Sequence, residues 1–284
     1  MALLLMHLPL AGAESFAVAT YSLKKYVVTP TGNRPVKSAA ARAKIRESIH
    51  AAKADVIALQ EMGTTNALLE LRASLKSEGL DYPYWEHTGG FDTNIHLAVL
   101  SRFPFRTRHE PERENFLLQG RRFRVSRGFA ELEVRVNARY TFTLLVAHLK
   151  SKRPVPGADE QVLREQEARL LREIIDTRLK ANPDANLIVV GDLNDSYDSK
   201  PVRTIKGRGR SALMDTRPAE RNGDDQAKPV APHPSRRITW TYHYGKQDAY
   251  ERNDYILVSQ GMAPEWEESG TFVVSLPNWG IGSD

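Results

Sequence analysis

Several polar residues in this 284-residue chain stand at the ends of short apolar runs, and their side-chain types together could manage a phosphoester. Glu61 follows Val56-Ile57-Ala58-Leu59-Gln60, and His148 follows Leu144-Leu145-Val146-Ala147. Asp192 and Asn194 follow Leu187-Ile188-Val189-Val190-Gly191. Asp254 opens Tyr255-Ile256-Leu257-Val258, and Asp284 closes the sequence after Gly282-Ser283. Strand ends are rigid while the loops beyond them are open, which makes them good places for chemistry. Taken singly, each residue has a plainer reading. An acid after a strand can be a turn residue or N-cap, His148 alone suits a hydrogen-bonded structural histidine, and Asp192-Leu193-Asn194-Asp195 can be a turn before a helix. Taken together, carboxylates without any cysteine favour a hard cation such as Mg²⁺ or Mn²⁺ held by oxygen. A carboxylate, an amide and a histidine beside that ion suit hydrolysis at phosphorus.

The elements that must position these residues alternate along the chain. Phe16–Leu23 reads as a strand and Ser38–Lys53 as a helix with Ser38 as its N-cap. Asp55–Leu59 is a short buried strand, and Thr64–Lys76 a helix that Gly79 ends. His96–Leu100 is a strand closed by Pro104, and Phe129–Val136 pairs with Tyr140–Ala147 as a hairpin. Asp159–Lys180 is the clearest helix. Val162, Leu163, Leu170, Leu171, Ile174, Ile175 and Leu179 fall on one face, and charges fill the other. Leu187–Val190 is a fully buried strand; Ile238–Tyr242, Asp254–Val258 and Thr271–Val274 are further strands. Lys206–Arg237, rich in Gly, Pro and Arg, is expected to be irregular. No internal repeat or linker interrupts this pattern, so one α/β domain over residues 14–284 is expected.

At the level of motifs the chain resembles the endonuclease/exonuclease/phosphatase family, the deoxyribonuclease-I-like superfamily. Asp55–Glu61 is similar to the strand that ends in that family's metal-binding glutamate, and Leu97–Pro104 to its L-S-R-x-P segment. Ala147–Lys152 resembles the central histidine motif, and Val189–Asp195, with Pro201 downstream, the G-D-x-N motif. Asn253–Leu257 resembles the x-D-Y-I strand, and Gly282–Asp284 the start of S-D-H. One such motif is weak; six in order from Phe16 to Asp284 are specific. The resemblance implies a four-layer α-β-β-α sandwich, two mixed sheets flanked by helices. It implies that Glu61 binds Mg²⁺ (or Mn²⁺), with Asp284 in the metal shell. Asp192 would orient or deprotonate the attacking water, and Asn194 would hold the phosphate or that water. His148 would hydrogen-bond a phosphoryl oxygen, and Asp254 would orient a terminal histidine.

Two departures stand out against that pattern. The family's first strand carries an asparagine where this chain has Ser22, and an acid and an amide where it has Lys24 and Lys25. A serine can still donate and accept, with a shorter reach. The sequence also ends at Asp284, where the family continues with histidine and a final strand, so a C-terminal truncation with impaired turnover is expected.

Basic residues surround the motifs. Lys150, Lys152 and Arg153 follow His148; Arg121, Arg122, Arg124 and Arg127 precede the Phe129 strand. Ser22, Arg127 and Lys150 are the substrate-binding candidates, Arg127 through a planar fork on a phosphate. Tyr21, Trp240 and Tyr242 suit either core packing or stacking on a base or sugar. The net charge of +5 favours polyanions, though a solvated basic surface gives the same number. The absence of cysteine excludes disulfides, thiol catalysis and cysteine-based zinc sites.

Ala2–Leu10 is apolar and Ala11-Gly12-Ala13 follows, a signal-peptide-like start over residues 1–13 that predicts a secreted or periplasmic protein. The run is too short to span a membrane, and no later stretch is long enough. A monomer is expected. The leading functional expectation is a metal-dependent nuclease-like phosphodiesterase. The alternatives are a phosphatase or phosphodiesterase on a sugar, inositol or lipid headgroup, and a catalytically impaired polyanion-binding module. A membrane-acting enzyme should carry an exposed aromatic hairpin, and none is evident in the sequence.

Overall fold

The computed structural model describes residues 15–30, 35–108, 114–220 and 239–274. The signal-like start, the Gly282–Asp284 motif, residues 221–237 of the long polar stretch and Ile238 lie outside them.

The first sheet contains β1 (Val18–Tyr26), β2 (Val56–Met62), β3 (Tyr84–Thr88) and β4 (His96–Ser101), in the order β1-β2-β4-β3. The β1–β2 pair is parallel and the others antiparallel. Helices α1 (Ala39–Ala52) and α2 (Thr65–Ser77) cover its outer face. Ser38 caps α1, its hydroxyl accepting from the Ala41 N–H. The second sheet runs β11-β15-β10-β9-β8-β5. Its strands are β5 (Phe105–Thr107), β8 (Phe129–Arg135), β9 (Thr141–His148), β10 (Leu187–Asp192), β11 (Met214–Asp215) and β15 (Asp254–Val258). Between β5 and β8 lies a hairpin of β6 (Asn115–Leu118) and β7 (Arg121–Arg124); between β11 and β15 lie β12 (Ala219–Glu220) and a hairpin of β13 (Tyr242–Tyr244) and β14 (Ala249–Glu251). A short β16 (Phe272–Val273) pairs with β12. Helices α3 (Glu160–Ala181) and α4 (Lys200–Lys206) cover the outer face of the second sheet.

Strand side chains alternate between faces, and the three cores follow that alternation. Ile57, Leu59, Ala98 and Leu100 point out to α1 and α2. Leu145, Ala147, Leu187, Val189, Tyr255 and Leu257 point out to α3 and α4. Val56, Ala58, Leu97 and Val99 meet Leu144, Val146, Ile188, Val190 and Val258 between the sheets. The result is the expected four-layer α-β-β-α sandwich.

Several expectations are corrected in detail. The β1 strand runs on to Tyr26, and β3 is additional; its polar Glu86-His87-Thr88 end carries no apolar run to announce it. Asp55 immediately precedes its strand, and its carboxylate accepts from the Ala17 N–H. The Lys206–Arg237 stretch is partly ordered: Lys206 ends α4, a 3₁₀ turn spans Gly209–Ser211, and β11 pairs with β15. Of the strand expected at Ile238–Tyr242, the described residues 239–241 are not in strand and β13 starts at Tyr242; Thr241 turns its hydroxyl to the N–H groups of Asn253 and Asp254. The polar face of α3 is not wholly solvated, for Arg164, Glu167 and Arg172 are buried.

Gly191 allows β10 to lie against β9. Its φ is 137°, and a Cβ there would fall 1.9 Å from the Ala147 carbonyl oxygen. An alanine would therefore be strained and would push the strands apart immediately before Asp192. Gly191→Ala should cost on the order of 4 kcal/mol in urea denaturation, whereas Gly245→Ala, whose Cβ would meet only the His243 ring at 3.8 Å, should stay within about 0.5 kcal/mol of the parent. Equal denaturation midpoints for the two variants would contradict this account of β10.

Candidate functional site

Between the sheets the inward-facing residues change character toward one end. On β9 the inward series Phe142, Leu144, Val146 ends in His148; on β10 Ile188 and Val190 lead to Asp192; on β15 Val258 and Ile256 lead back to Asp254. Strand register completes the arrangement. Asp192 is the partner of His148 in the parallel β9–β10 pair and of Asp254 in the antiparallel β10–β15 pair. The three side chains thus stand on adjacent strands, on one face and at one level. Opposite them, Val18, Val56 and Ala58 give way to Thr20, Ser22 and Gln60, with Ser22 and Gln60 as register partners.

Bulges aim the residues of the first sheet. The β1–β2 register shifts between Ser22 and Tyr26, and the β2–β4 register between Leu59 and Met62. Lys24, Lys25 and Glu61 within those shifts have left-handed backbone, with φ of 48°, 65° and 57°. Asn194, beyond β10, does the same at 53°. Bulges that re-aim a side chain, and non-glycine residues held at positive φ, gather at functional sites. Glu61 is half-buried, and among the described residues no hydrogen bond or salt bridge is seen to its carboxylate. It acts electrostatically on Asp192, Asp254 and Lys37, so it faces the same space.

Burial dominates the electrostatics. It pushes the Asp192 carboxyl well above the usual carboxylate range, helped by the charge of Asp254 and opposed by the Asn194 N–H. Asp254 is pushed up to about 6, again by burial first. Burial, then the Arg127 charge, holds His148 well below the usual imidazole range, so it is neutral near pH 7. The His148 Nε2 lies 3.8 Å from Asp192 Oδ2. Arg127 is buried beside them and donates to the Leu149 carbonyl at 3.3 Å. Asn194 Nδ2 donates to that same carbonyl at 2.9 Å, and the Asn194 N–H to Asp192 Oδ1 at 2.9 Å.

Among the described residues, buried polar atoms without a partner concentrate here: Gln60 Nε2, Arg127 Nε, His148 Nδ1, Asn253 Oδ1 and Asp254 Oδ1. Native interiors satisfy such groups almost everywhere, so a cluster of them marks a place prepared for something else.

The sequence of this chain matches the endonuclease/exonuclease/phosphatase family over residues 20–284. The chain belongs to that family. No curated protein matches it. Among solved structures, a β-hairpin deletion mutant of beta toxin from Staphylococcus aureus is similar at 16% identity and a TM-score of 0.55, covering 95% of this chain and 96% of that one. Sphingomyelinase C from Streptomyces griseocarneus is similar at 17% identity and 0.51, over 87% and 85%. An endonuclease/exonuclease/phosphatase from Beutenbergia cavernae is similar at 19% and 0.51, over 86% and 64%. These likenesses establish the shared fold, and the family's members act as phosphoester hydrolases.

Within this family member, the structure brings Glu61, His148, Asp192, Asn194, Asp254, Arg127 and Ser22 to one end of the sandwich. Asp284 lies outside the described residues. Lys150 is placed differently from the expectation: it is buried, and its ammonium donates to the carbonyls of Ser151 (2.8 Å) and Arg153 (2.7 Å). It braces its own loop. The arginine run divides, with Arg127 in the site and Arg121, Arg122 and Arg124 on the exposed β7. Tyr21 packs against the α1–α2 core, its hydroxyl toward Ser48, and Trp240 packs edge-on to Tyr250. Tyr242 is 42% exposed and senses the charge of Asp192. With Tyr244 and Tyr250 it makes β13–β14 the exposed aromatic hairpin that the sequence did not reveal, because its aromatic residues are interleaved with His, Lys and Gln.

The sequence reading also missed Gln60, Thr241 and Arg252. Adjacency to Glu61 on an apolar strand could have exposed Gln60. Thr241 fixes the start of β15 through the Asn253 and Asp254 N–H groups, at 3.1 Å each. Arg252 forks onto Asp215 at 2.6 and 3.0 Å and lies over the Tyr255 ring.

The Asp254 titration carries a stability consequence. Its carboxyl binds a proton more tightly in the fold, at about 6, than at the ordinary 3.8. Stability from this group is therefore complete below 3.8 and is lost as pH rises through 6. Asp254→Asn should melt higher than the parent at pH 8 in EDTA, by on the order of 2 kcal/mol, with the advantage vanishing near pH 4. A pH-independent difference would show that the acid is not destabilised by burial.

Proposed function

We propose that this protein is a divalent-metal-dependent phosphodiesterase that cleaves nucleic acid by in-line attack of a water. The observation that carries the proposal is the level placement of His148, Asp192 and Asp254 on three adjacent strands, opposite the bulge that presents Glu61.

The residues fit a hard divalent cation. Glu61 offers a carboxylate that has no hydrogen bond or salt bridge among the described residues, and burial raises the proton affinity of the neighbouring Asp192 and Asp254, a cost that a bound cation would offset. Among the described residues no group of three or more His, Asp or Glu is gathered to hold an ion. Glu61 would therefore be the principal protein ligand, with Asp284 as the second that the family pattern suggests. Bound Mg²⁺ or Mn²⁺ would supply charge to the phosphoryl oxygens and to the leaving oxygen.

Asp192 would orient the attacking water and take its proton. Its proton affinity, raised chiefly by burial, makes it a stronger proton acceptor than an ordinary carboxylate. Asn194 gives one amide hydrogen to Leu149 and retains its oxygen and second hydrogen for the water or phosphate. His148, kept neutral, would donate to a phosphoryl oxygen, and Arg127, with its Nε unpartnered, would pair with the anion. Asp254 would accept from a donor placed beside its unpartnered oxygen. Ser22 would contact substrate from the first sheet.

The choice of nucleic acid rests on the basic rim: Arg121 and Arg124 on β7, and Arg153 beside Tyr242. A second reading, cleavage of a lipid headgroup diester, gains from the exposed tyrosines of β13–β14 and from the likeness to sphingomyelinase C. No helix of the described residues is long and apolar enough to cross a membrane. The signal-like start supports a secreted or periplasmic protein.

The test is turnover of plasmid DNA, RNA, sphingomyelin vesicles and bis(p-nitrophenyl) phosphate with Mg²⁺, Mn²⁺ or EDTA. Nucleic acid should be cut only with metal, and Asp192→Ala and His148→Ala should each lose on the order of 10²–10⁴-fold in kcat. Cleavage of sphingomyelin alone would transfer the function to the second reading. Undiminished turnover in EDTA would overturn the metal requirement.

A further inference from the structure

Arg164 and Glu167 stand one turn apart on α3, on the face turned to the sheet, and are 4% and 1% exposed. Two charges buried on a helix face otherwise filled by Leu163, Ala168, Leu171 and Ile175 are costly unless every polar atom is used. They are used on the segments that carry the site. Glu167 Oε1 accepts from the Ser126 N–H (2.8 Å) and hydroxyl (2.7 Å), and Oε2 accepts from the Lys150 N–H at 2.6 Å. Arg164 Nη1 donates to the Lys150 carbonyl at 3.1 Å and to the Glu160 carbonyl at 3.4 Å, while Nε pairs with Asp195 Oδ2 at 2.9 Å.

Each anchored point adjoins a site residue. Ser126 precedes Arg127, Lys150 lies two residues after His148, and Asp195 follows Asn194. The Leu149 carbonyl, fixed between them, receives both Arg127 and Asn194. Tyr255 ties in the fourth segment, its hydroxyl donating to the Asp195 carbonyl at 2.8 Å. Arg172 provides the contrast. It is buried on the same helix, but it serves the Ile205 and Ser211 carbonyls and Asp176, all away from the site.

We propose that Arg164 and Glu167 are positioning residues: a two-residue clamp on α3 that grips the N–H and the C=O of Lys150 and so sets Arg127, His148 and Asn194 relative to one another. The reason to spend two buried charges here is geometric. A displacement of about 1 Å at a reacting group costs on the order of 10²-fold in rate, and strand ends alone leave their following loops free to shift.

The kinetic half of this proposal rests on the phosphodiesterase reading; the structural half does not. The decisive variant is Glu167→Gln in the full chain. Its NH₂ cannot accept, so either Ser126 or Lys150 loses its acceptor while side-chain volume is kept. Amide hydrogen exchange should speed up in residues 126–128 and 148–151 and stay at the parent level in α4. With Mn²⁺ and bis(p-nitrophenyl) phosphate, kcat should fall about 10–100-fold with KM held within about 3-fold. Arg164→Lys, which can reach Asp195 or the Lys150 carbonyl but not both, should fall between the two. Arg172→Met should lower the melting temperature yet leave exchange at both segments, kcat and KM unchanged. Parent-level exchange in Glu167→Gln overturns the clamp. Altered exchange with unaltered kcat leaves a structural brace and overturns the positioning role. A parent chain that cleaves no diester refutes the proposed activity, while the exchange result still decides the clamp.

Discussion

The register of β10 with its two neighbours is the constraint on which the site depends. One neighbour is parallel and the other antiparallel, so β9 and β10 reach the same end of the sheet while β15 starts there. Three polar residues from distant parts of the chain therefore arrive level, with no loop needed to carry them. A slip of one residue in either pairing would turn a side chain to the helix side and bury its charge among leucines. The apolar residues further along each strand enforce the register, since Leu144, Val146, Ile188 and Val190 fit between the sheets only in one phase. Packing in the middle of the sandwich thus secures the chemistry at its end.

That placement carries a cost which the rest of the fold meets. Asp192 and Asp254 lie deep enough that both resist ionisation; the charge of Asp254 adds to the difficulty for Asp192, and that of Glu61 adds to it for both. Glu61 and Asn194 add backbone held in the left-handed region. Natural proteins accept such local penalties where function needs them, and regain the stability in cores remote from the site. Here the outer cores are nearly dry: Leu68, Leu71 and Leu75 under the first sheet, Ala168, Leu171 and Ile175 under the second. The bulges of β1 and β2 come after the last inward apolar positions, and Leu23, Tyr26 and Met62 within or beside them still pack into the outer core of the first sheet.

The resemblance of the motifs to the family conveyed the layers and the site roles, while alternation conveyed which strand ends carry the polar residues. A strand of period two that ends in an acid or a histidine announces which face that residue takes, as for His148 and Asp192. It could not convey what opposes them, since Ser22 and Gln60 belong to another sheet and reach the site only through packing. Charges on α3 were misleading for a related reason. A helical pattern assigns Arg164 and Glu167 to solvent by their type, although 3.6-residue periodicity puts them beside Leu163, Ala168 and Leu171. Lys150 was legible as a cation close to the site but not as a donor to its own loop, because the turn of Ser151–Arg153 is invisible in the order of residues.

Reaction and substrate are encoded in different parts of this fold. Residues between the sheets are fixed by register and by the α3 contacts, and their chemistry is limited to what a buried acid, a neutral imidazole and a guanidinium can do to a phosphate. The rim is built otherwise. The loop after Lys150 touches the two peripheral hairpins, Arg121 of β7 donating to the Gly157 carbonyl at 3.3 Å and Lys152 meeting Glu251 of β14 at 2.8 Å. These contacts are exposed, single and charged or backbone-directed, so they tolerate exchange at little cost in stability. Leu117 at the β6–β7 hairpin, 65% exposed, and the tyrosines of β13–β14 can therefore vary without disturbing the register beneath them. Selection for a new phosphoester would act first on those hairpins, leaving the strand ends and their helix anchors in place.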